Sequence, residues 1–188
     1  MPVAVLVAGA TVTVTLGGCS HQSSGTAGAQ AASTPSAAPS VPVTPSASTG
    51  SGSARSLATA AYLGMWRDMT RAAATSDWEL PALAHHATGE ALSTISRGLY
   101  ADHLNGLVTK GKPKESPMVT SVDPVGVPTT VMIADCGDSS HWLKYRKSTG
   151  KLADNDPGGR QAITAEVKRG SDGTWRVTRF AVEGVGTC

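Results

Sequence analysis

Three thiols, five histidines and a thin scatter of carboxylates make up the reactive inventory of this 188-residue sequence. They do not fall into the spacings that familiar chemistries require. There is no phosphate-cradling Gly loop, no Gly-x-Ser-x-Gly elbow, no His-Glu-x-x-His and no calcium loop, and Gly158-Gly159 lacks the rest of any such motif. His85 and His86 are adjacent, so on a helix they point about 100° apart and cannot easily share a metal. A solvated or capping role is expected for both. The cysteines form no Cys-x-x-Cys pair. No metal and no cofactor is therefore expected, and no catalytic group stands out. The net charge of +2 is too near balance for a nucleic-acid partner.

One thiol has a context of its own. Val3–Thr15 is small and apolar, long enough for the core of a signal peptide and short of the roughly 20 residues that span a bilayer. Leu16-Gly17-Gly18-Cys19 follows it and resembles the lipobox of bacterial lipoproteins. That resemblance implies a diacylglyceryl thioether on Cys19 and cleavage before it, where small side chains must flank the scissile bond. Two or three acyl chains hold a protein stably, one only marginally. The expectation is a signal peptide over 1–18 and a protein anchored at the extracytoplasmic face of the cell membrane. Met1-Pro2-Val3 departs from the pattern by carrying no Lys or Arg, which points to a translation start further upstream. The alternative is that Cys19 is a buried cysteine after a strand, since Thr11–Thr15 alternates.

Ser20–Ala54 consists almost wholly of Ser, Ala, Thr, Pro and Gly. Lys, Arg, Asp and Glu are absent before Arg55. Such a stretch cannot bury enough apolar surface to offset its ordering, so 19–54 is expected to be a disordered tether reaching on the order of 30–35 Å. With Cys19 assigned to lipid, Cys136 and Cys188 remain in a compartment where disulfides persist. A bridge between them would stabilise the fold by roughly 4 kcal/mol on the chain-entropy model and pin the last residue. Two free thiols or a metal pair are the alternatives.

The elements that must position everything else lie in 55–188, the length of one ordinary domain. Apolar residues at Leu57, Ala60, Ala61, Gly64, Met65, Met69 and Ala72 predict a helix over Leu57–Ala74. Ser76-Asp77-Trp78-Glu79 has the spacing of a capping box, and a short helix should follow to about His86. Thr88 is placed to cap a third helix, with Leu92, Ile95, Leu99, His103 and Leu104 on one face and Gly106 at its end. Beyond it the pattern changes to β: Ser116–Val125, Pro128–Asp135, His141–Arg146, and a hairpin of Gln161–Arg169 with Thr174–Val182. Cys136–Ser140 reads as a turn, and Asp154–Gly159 as a loop. Helices followed by antiparallel strands argue an α+β fold with helices on one face of a curved sheet.

The order of elements, with Ala61-Tyr62 and Met65-Trp66 in the first helix and Asp172-Gly173-Thr174-Trp175-Arg176-Val177 in the last hairpin, resembles the nuclear transport factor 2-like (cystatin-like) superfamily. Asp135-Cys136 and the terminal Gly186-Thr187-Cys188 are similar to secreted lipoproteins of that type in high-GC Gram-positive bacteria. The resemblance implies a cone walled by sheet and helices, in a fold that hosts enzymes, binding modules and scaffolds alike. Inside such a cone an Asp, His or Tyr serves as acid or base in the enzymes. Tyr62, Trp66, Asp68, Tyr100 and His103 are the possible pocket residues, with Asp135 and His141 nearer the disulfide and expected to support it. Asp68 reads first as a surface partner of Arg67 or Arg71, Tyr62 and Trp66 as rim packing, and His103 as a core histidine.

Two basic clusters, Lys110, Lys112, Lys114 and Lys144, Arg146, Lys147, Lys151, read as solvated loops that could rest on anionic lipid or wall polymer. The function expected is a non-catalytic envelope module binding a partner protein or a small apolar ligand. The alternative is an enzyme of isomerase, dehydratase or cyclase type using Asp68 or His103.

Overall fold

The computed structural model describes residues 47–153, 155 and 158–188. The expected signal segment, Cys19 and the tether as far as residue 46 lie outside the described residues. The elements are α1 (Ala47–Ala73), α2 (Leu83–His86), α3 (Gly89–Leu104), β1 (Leu107–Gly111), β2 (Met118–Asp123), β3 (Thr130–Asp138), β4 (Trp142–Arg146), β5 (Arg160–Arg169) and β6 (Trp175–Val182). Strands β2-β3-β5-β6 form a four-stranded antiparallel sheet, and β1 pairs with β4 in a separate antiparallel ribbon. This is the expected α+β class, with helices packed on antiparallel strands. Among the described residues, no helix is long and apolar enough to cross a membrane.

The core lies between α1, α3 and the inner face of the sheet. β3 alternates strictly, burying Val131, Ile133, Asp135 and Gly137 on one face, as a strand with one covered side must. Ile133 and Val131 lie opposite Ala165 and Val167 of β5, and Val167 lies opposite Val177 of β6. Against them α1 sets Ala58, Ala61, Tyr62, Met65, Trp66, Met69 and Ala72, all buried. This stripe is rotated from the expected one: Leu57 is 51 % exposed and Ala60 faces solvent. Tyr62 and Trp66 carry far more apolar surface than Leu57 and Ala60, and burial scales with that area. The aromatics therefore take the interior.

Helix α1 begins at Ala47, within the stretch expected to be tether, and Ser51 Oγ already donates to the carbonyl of Val125 at 2.9 Å. The capping box does not form. Ser76 occupies a left-handed turn (φ 59°) that turns its hydroxyl onto the carbonyl of Leu107, at the start of β1. Asp77 instead accepts from the Glu79 N–H at 3.2 Å. Thr88 stands at the N-cap of α3, but no side-chain cap bond forms; its backbone N–H donates to the carbonyl of Val177 at 2.9 Å and ties the helix start to β6. Gly106, at φ 62°, ends α3 as expected. Strand β3 runs on through Cys136 and Gly137 to Asp138, where a turn was expected, because Gln161 and Arg160 continue the pairing. The ribbon strand β1 occupies residues read as loop.

Candidate binding cavity

A cavity of about 340 Å³ opens between α1, α3, the β1–β4 ribbon and the sheet. Its apolar wall comes from Met69 and Ala73 of α1, Ile95 and Leu99 of α3, Trp142 of β4 and Phe180 of β6. Polar groups enter at few points. Asp102, buried at the last turn of α3, accepts from Lys144 Nζ of β4 at 2.6 Å, joining helix to ribbon. Thr94 and Gly98 of α3, with Thr109, Ser139 and Gln161, complete the lining. Size and lining are those of a small-molecule site, an apolar concavity with a few placed polar groups.

A recess of about 210 Å³ shares Met69, Ser139, Trp142, Gln161 and Phe180 with that cavity and extends to Trp66, Pro113, Glu115 and Ile163. Trp66 is one of its lining residues. It stands edge-to-face with Tyr62, Trp142 and Phe180, the ring centroids 6.3, 6.0 and 6.1 Å away. These are the favoured spacings and orientations of aromatic pairs. Tyr62 Oη donates to Asp135 Oδ2 at 2.8 Å, and the Ser116 N–H donates to Asp135 Oδ1 at 2.7 Å. Burial, then the Asp135 charge and its hydrogen bond, push the Tyr62 phenol far above its ordinary pKa. Tyr62 is therefore held as a donor and does not act as a base. The Trp66 indole N–H leans toward the phenol oxygen, which offsets a little of that shift, but it stops short of a hydrogen bond.

Glu115 enters the recess from the segment between β1 and β2. Burial raises its pKa, and the Asp135 carboxylate nearby raises it further; its own backbone N–H and the Lys112 charge offset this only in part. Three buried polar atoms lack a partner among the described residues: Trp66 Nε1, Trp142 Nε1 and Glu115 Oε1. All three residues line the recess.

The structure divides the expected pocket residues. Trp66 is buried and lines the recess, while Tyr62 is fully buried in the core and lines neither the recess nor the larger cavity. Asp68 is buried and accepts from or shares a proton with His86 Nδ1 at 2.7 Å, in place of the surface pairing with Arg67 or Arg71. Gly64, one turn before it, makes this possible, since a β-carbon there would collide with the His86 ring. His86 is thus a half-buried partner and His85 alone is solvated. Tyr100 and His103 leave the pocket. They flank Trp78 on the outer side of α3, at centroid distances of 5.2 and 4.5 Å, and both are exposed. The inward face of α3 runs through Ala91, Ile95, Leu99 and Asp102, so at the last turn Asp102 takes the place expected of His103. Lys144 is what stabilises that carboxylate inside.

Cys136 and Cys188 are joined in a disulfide, their Cα atoms 5.9 Å apart. Asp135 does not support the bridge as expected, because strand alternation turns it inward to Tyr62; Arg160 Nε instead lies 3.2 Å from Cys136 Sγ. His141 is exposed. The two basic clusters are brought together, since β1 and β4 pair Thr109 with Lys144 and Lys110 with Leu143; Lys110 Nζ sits 4.7 Å over the Tyr145 ring. No group of three or more His, Cys, Asp or Glu gathers as metal ligands among the described residues. Asp102, Lys144, Trp142, Phe180 and Glu115 went unrecognised as site residues. The only sequence signal for any of them was the inward spacing of Asp102, three residues after Leu99.

No protein-family model and no curated protein matches this chain. Solved structures similar to it include the intermembrane-space region of the chloroplast protein ARC6, at 14% identity and a TM-score of 0.45, covering 71% of this chain and 96% of that one. A ketosteroid isomerase-like protein from Erwinia carotovora atroseptica is 11% identical with a TM-score of 0.39, covering 68% of this chain and 92% of that one. A protein from Catenulispora acidiphila is 14% identical with a TM-score of 0.42, covering 70% and 91%. At such scores none of them bears on function, which rests on the cavity itself.

Proposed function

We propose that this protein is a binding module of the cell envelope, held by lipid on Cys19 at the extracytoplasmic face of the cell membrane, whose inner cavity takes a small apolar ligand. The observation that carries the reading is the cavity of about 340 Å³ walled by Met69, Ile95, Leu99, Trp142 and Phe180, with its one charged pair, Asp102 and Lys144, already neutralised. An apolar wall of this kind favours burial of hydrocarbon at about 25 cal/mol per Å². An isomerase, dehydratase or cyclase relying on Asp68 or His103 would need them at the cavity, and neither lines it. The anchor reading is supported by the run from Val3 to Cys19 alone.

The test is uptake of N-phenyl-1-naphthylamine, an uncharged dye that brightens in apolar surroundings, alongside intact-mass measurement of the chain extracted from bacterial membranes. The expected result is saturable uptake at one dye per chain, and a mature chain starting at Cys19 with acyl mass on it. Absence of dye uptake would overturn the ligand reading; an unacylated chain of full length in the membrane fraction would overturn the anchor.

A further inference from the structure

Among the residues that line the larger cavity, Thr94, Gly98 and Lys144 are exposed and the others are buried or half-buried. Solvent therefore reaches the cavity along one edge, where α3 passes Lys144 of β4. Thr94, Gly98 and Asp102 follow one another at intervals of four and so form one row along the helix. At about 100° per residue, position 98 points about 55° away from the mean direction of the buried Ala91, Ile95, Leu99 and Asp102. It belongs to the flank between core and solvent. Glycine is disfavoured inside a helix, and the structural reasons that usually account for one are missing here. The backbone of Gly98 lies outside the left-handed region, unlike Gly89 and Gly106 at φ 56° and 62°. A β-carbon built on it meets no atom within 4 Å beyond its chain neighbours and its own helix, whereas one on Gly64 would collide with the His86 ring. What the missing side chain leaves is open space at the edge of the cavity.

We propose that Gly98 keeps the mouth of the cavity open, and that the apolar ligand enters past it, between Thr94 and the Asp102–Lys144 pair. The inference rests on the apolar-ligand reading above and adds the route by which the ligand reaches its site. The bond from Lys144 Nζ to Asp102 at 2.6 Å ties α3 to the ribbon at one end of this edge, so the opening is fixed there and lies beside Gly98. A long side chain at 98 would have to share the opening with the ligand. Entry would then wait for that side chain to swing aside, which lowers the rate of association. The buried wall of Met69, Ile95, Leu99 and Phe180, which supplies the apolar contact, would stay as it is.

Rapid mixing of N-phenyl-1-naphthylamine with the full chain carrying Cys19→Ser, so that no acyl group competes, gives the rate of entry, and titration gives the affinity. Gly98→Ala, Gly98→Leu and Gly98→Trp grade the obstruction, and a urea midpoint for each separates blocking from unfolding. Gly98→Ala is expected to raise the midpoint, because alanine is the better helix former and nothing crowds it, and to leave the entry rate near that of the unsubstituted position. Gly98→Trp should slow entry roughly tenfold and slow release by a similar factor, so that affinity changes little, with Gly98→Leu between the two. Thr94→Trp, at the neighbouring exposed position, should also slow entry, and it decides the matter where Gly98→Trp does not fold. Unslowed entry in the folded tryptophan variant would overturn the mouth while sparing the cavity. A lowered midpoint in Gly98→Ala would mean that the glycine answers to packing, and the proposal would fall. A chain with Gly98 in place that takes up no dye would overturn the apolar-ligand reading itself, and the mouth with it.

Discussion

Asp135 and Glu115 are near enough for the charge of one to raise the pKa of the other, yet the fold treats them in opposite ways. Asp135, on the covered face of β3, has both oxygens bonded, to the Tyr62 hydroxyl and the Ser116 N–H. Glu115, one residue before Ser116, is less deeply buried and has an oxygen with no donor. The same contrast separates the rest of the interior from the recess. Asp68 has His86, Asp102 has Lys144, and Glu166 has Thr178, Arg179 and Lys168. Depth of burial therefore does not decide which carboxylate is left unpaired: the deeper ones are all bonded, and the shallower Glu115 keeps an oxygen with no partner among the described residues.

If that contrast is right, substitutions on the paired side should damage stability and spare the ligand. The largest effect is expected from Tyr62→Phe, which removes the donor to Asp135 Oδ2 while keeping the ring. It should cost about 2 kcal/mol, read as a lowered midpoint in urea unfolding with an unchanged slope. Asp68→Ala comes next. It leaves His86 without its partner and should cost about 1 kcal/mol, with dye uptake into the cavity unaltered because neither Asp68 nor His86 lines it. A stable Tyr62→Phe protein, or loss of dye binding in folded Asp68→Ala, would erase the distinction between the two regions.

Much of the frame could be read before any coordinates. The β-branched run bounded by Pro and Gly over Pro128–Asp135 marks most of β3, the two strands flanking Gly170–Gly173 mark the last hairpin, and Gly106 marks the end of α3. The site could not be read as well, for physical reasons. On α1, alanines surround the helix and blur its apolar stripe, so the rotation that buries Tyr62 and Trp66 depends on the sheet they meet. On α3, Asp102 and His103 are adjacent in the chain. The choice between them is made by Lys144, 42 positions away in sequence and brought close only by the ribbon. Glu115 sits among Lys110, Lys112 and Lys114 and looks like part of a solvated loop; what buries it is the packing of that segment beside Trp66. Patterns local to an element were legible, and partners joined by topology were not.

The smallest effect expected is also the one of opposite sign. Glu115 has its pKa raised by burial and by Asp135. Between the ordinary glutamate value and the raised one, the folded protein therefore keeps a proton that the unfolded chain has lost. More protons bound in the folded state means that stability falls as pH rises through that window, and the penalty persists above it. Glu166 works the other way. Chiefly the hydrogen bond from Thr178 lowers its pKa, so it contributes stability above the ordinary value and loses it as the pH falls through the lowered one. Glu115→Gln removes a charge that has only its own backbone N–H and the nearby Lys112 charge to favour it, and keeps the shape of the side chain. It should be neutral in acid and stabilising by a few tenths of a kcal/mol near neutrality, a small gain because solvent reaches part of the side chain and screens the repulsion. Thermal melts of the two proteins across the acid range provide the measurement. The curves should coincide at low pH and separate upward through the window, with the variant above. If Glu115→Gln instead destabilises the protein by about 1 kcal/mol or more at neutral pH, a loss of the size expected when a bonded carboxylate is removed, then Glu115 is paired like Asp135, and the contrast between the two carboxylates fails.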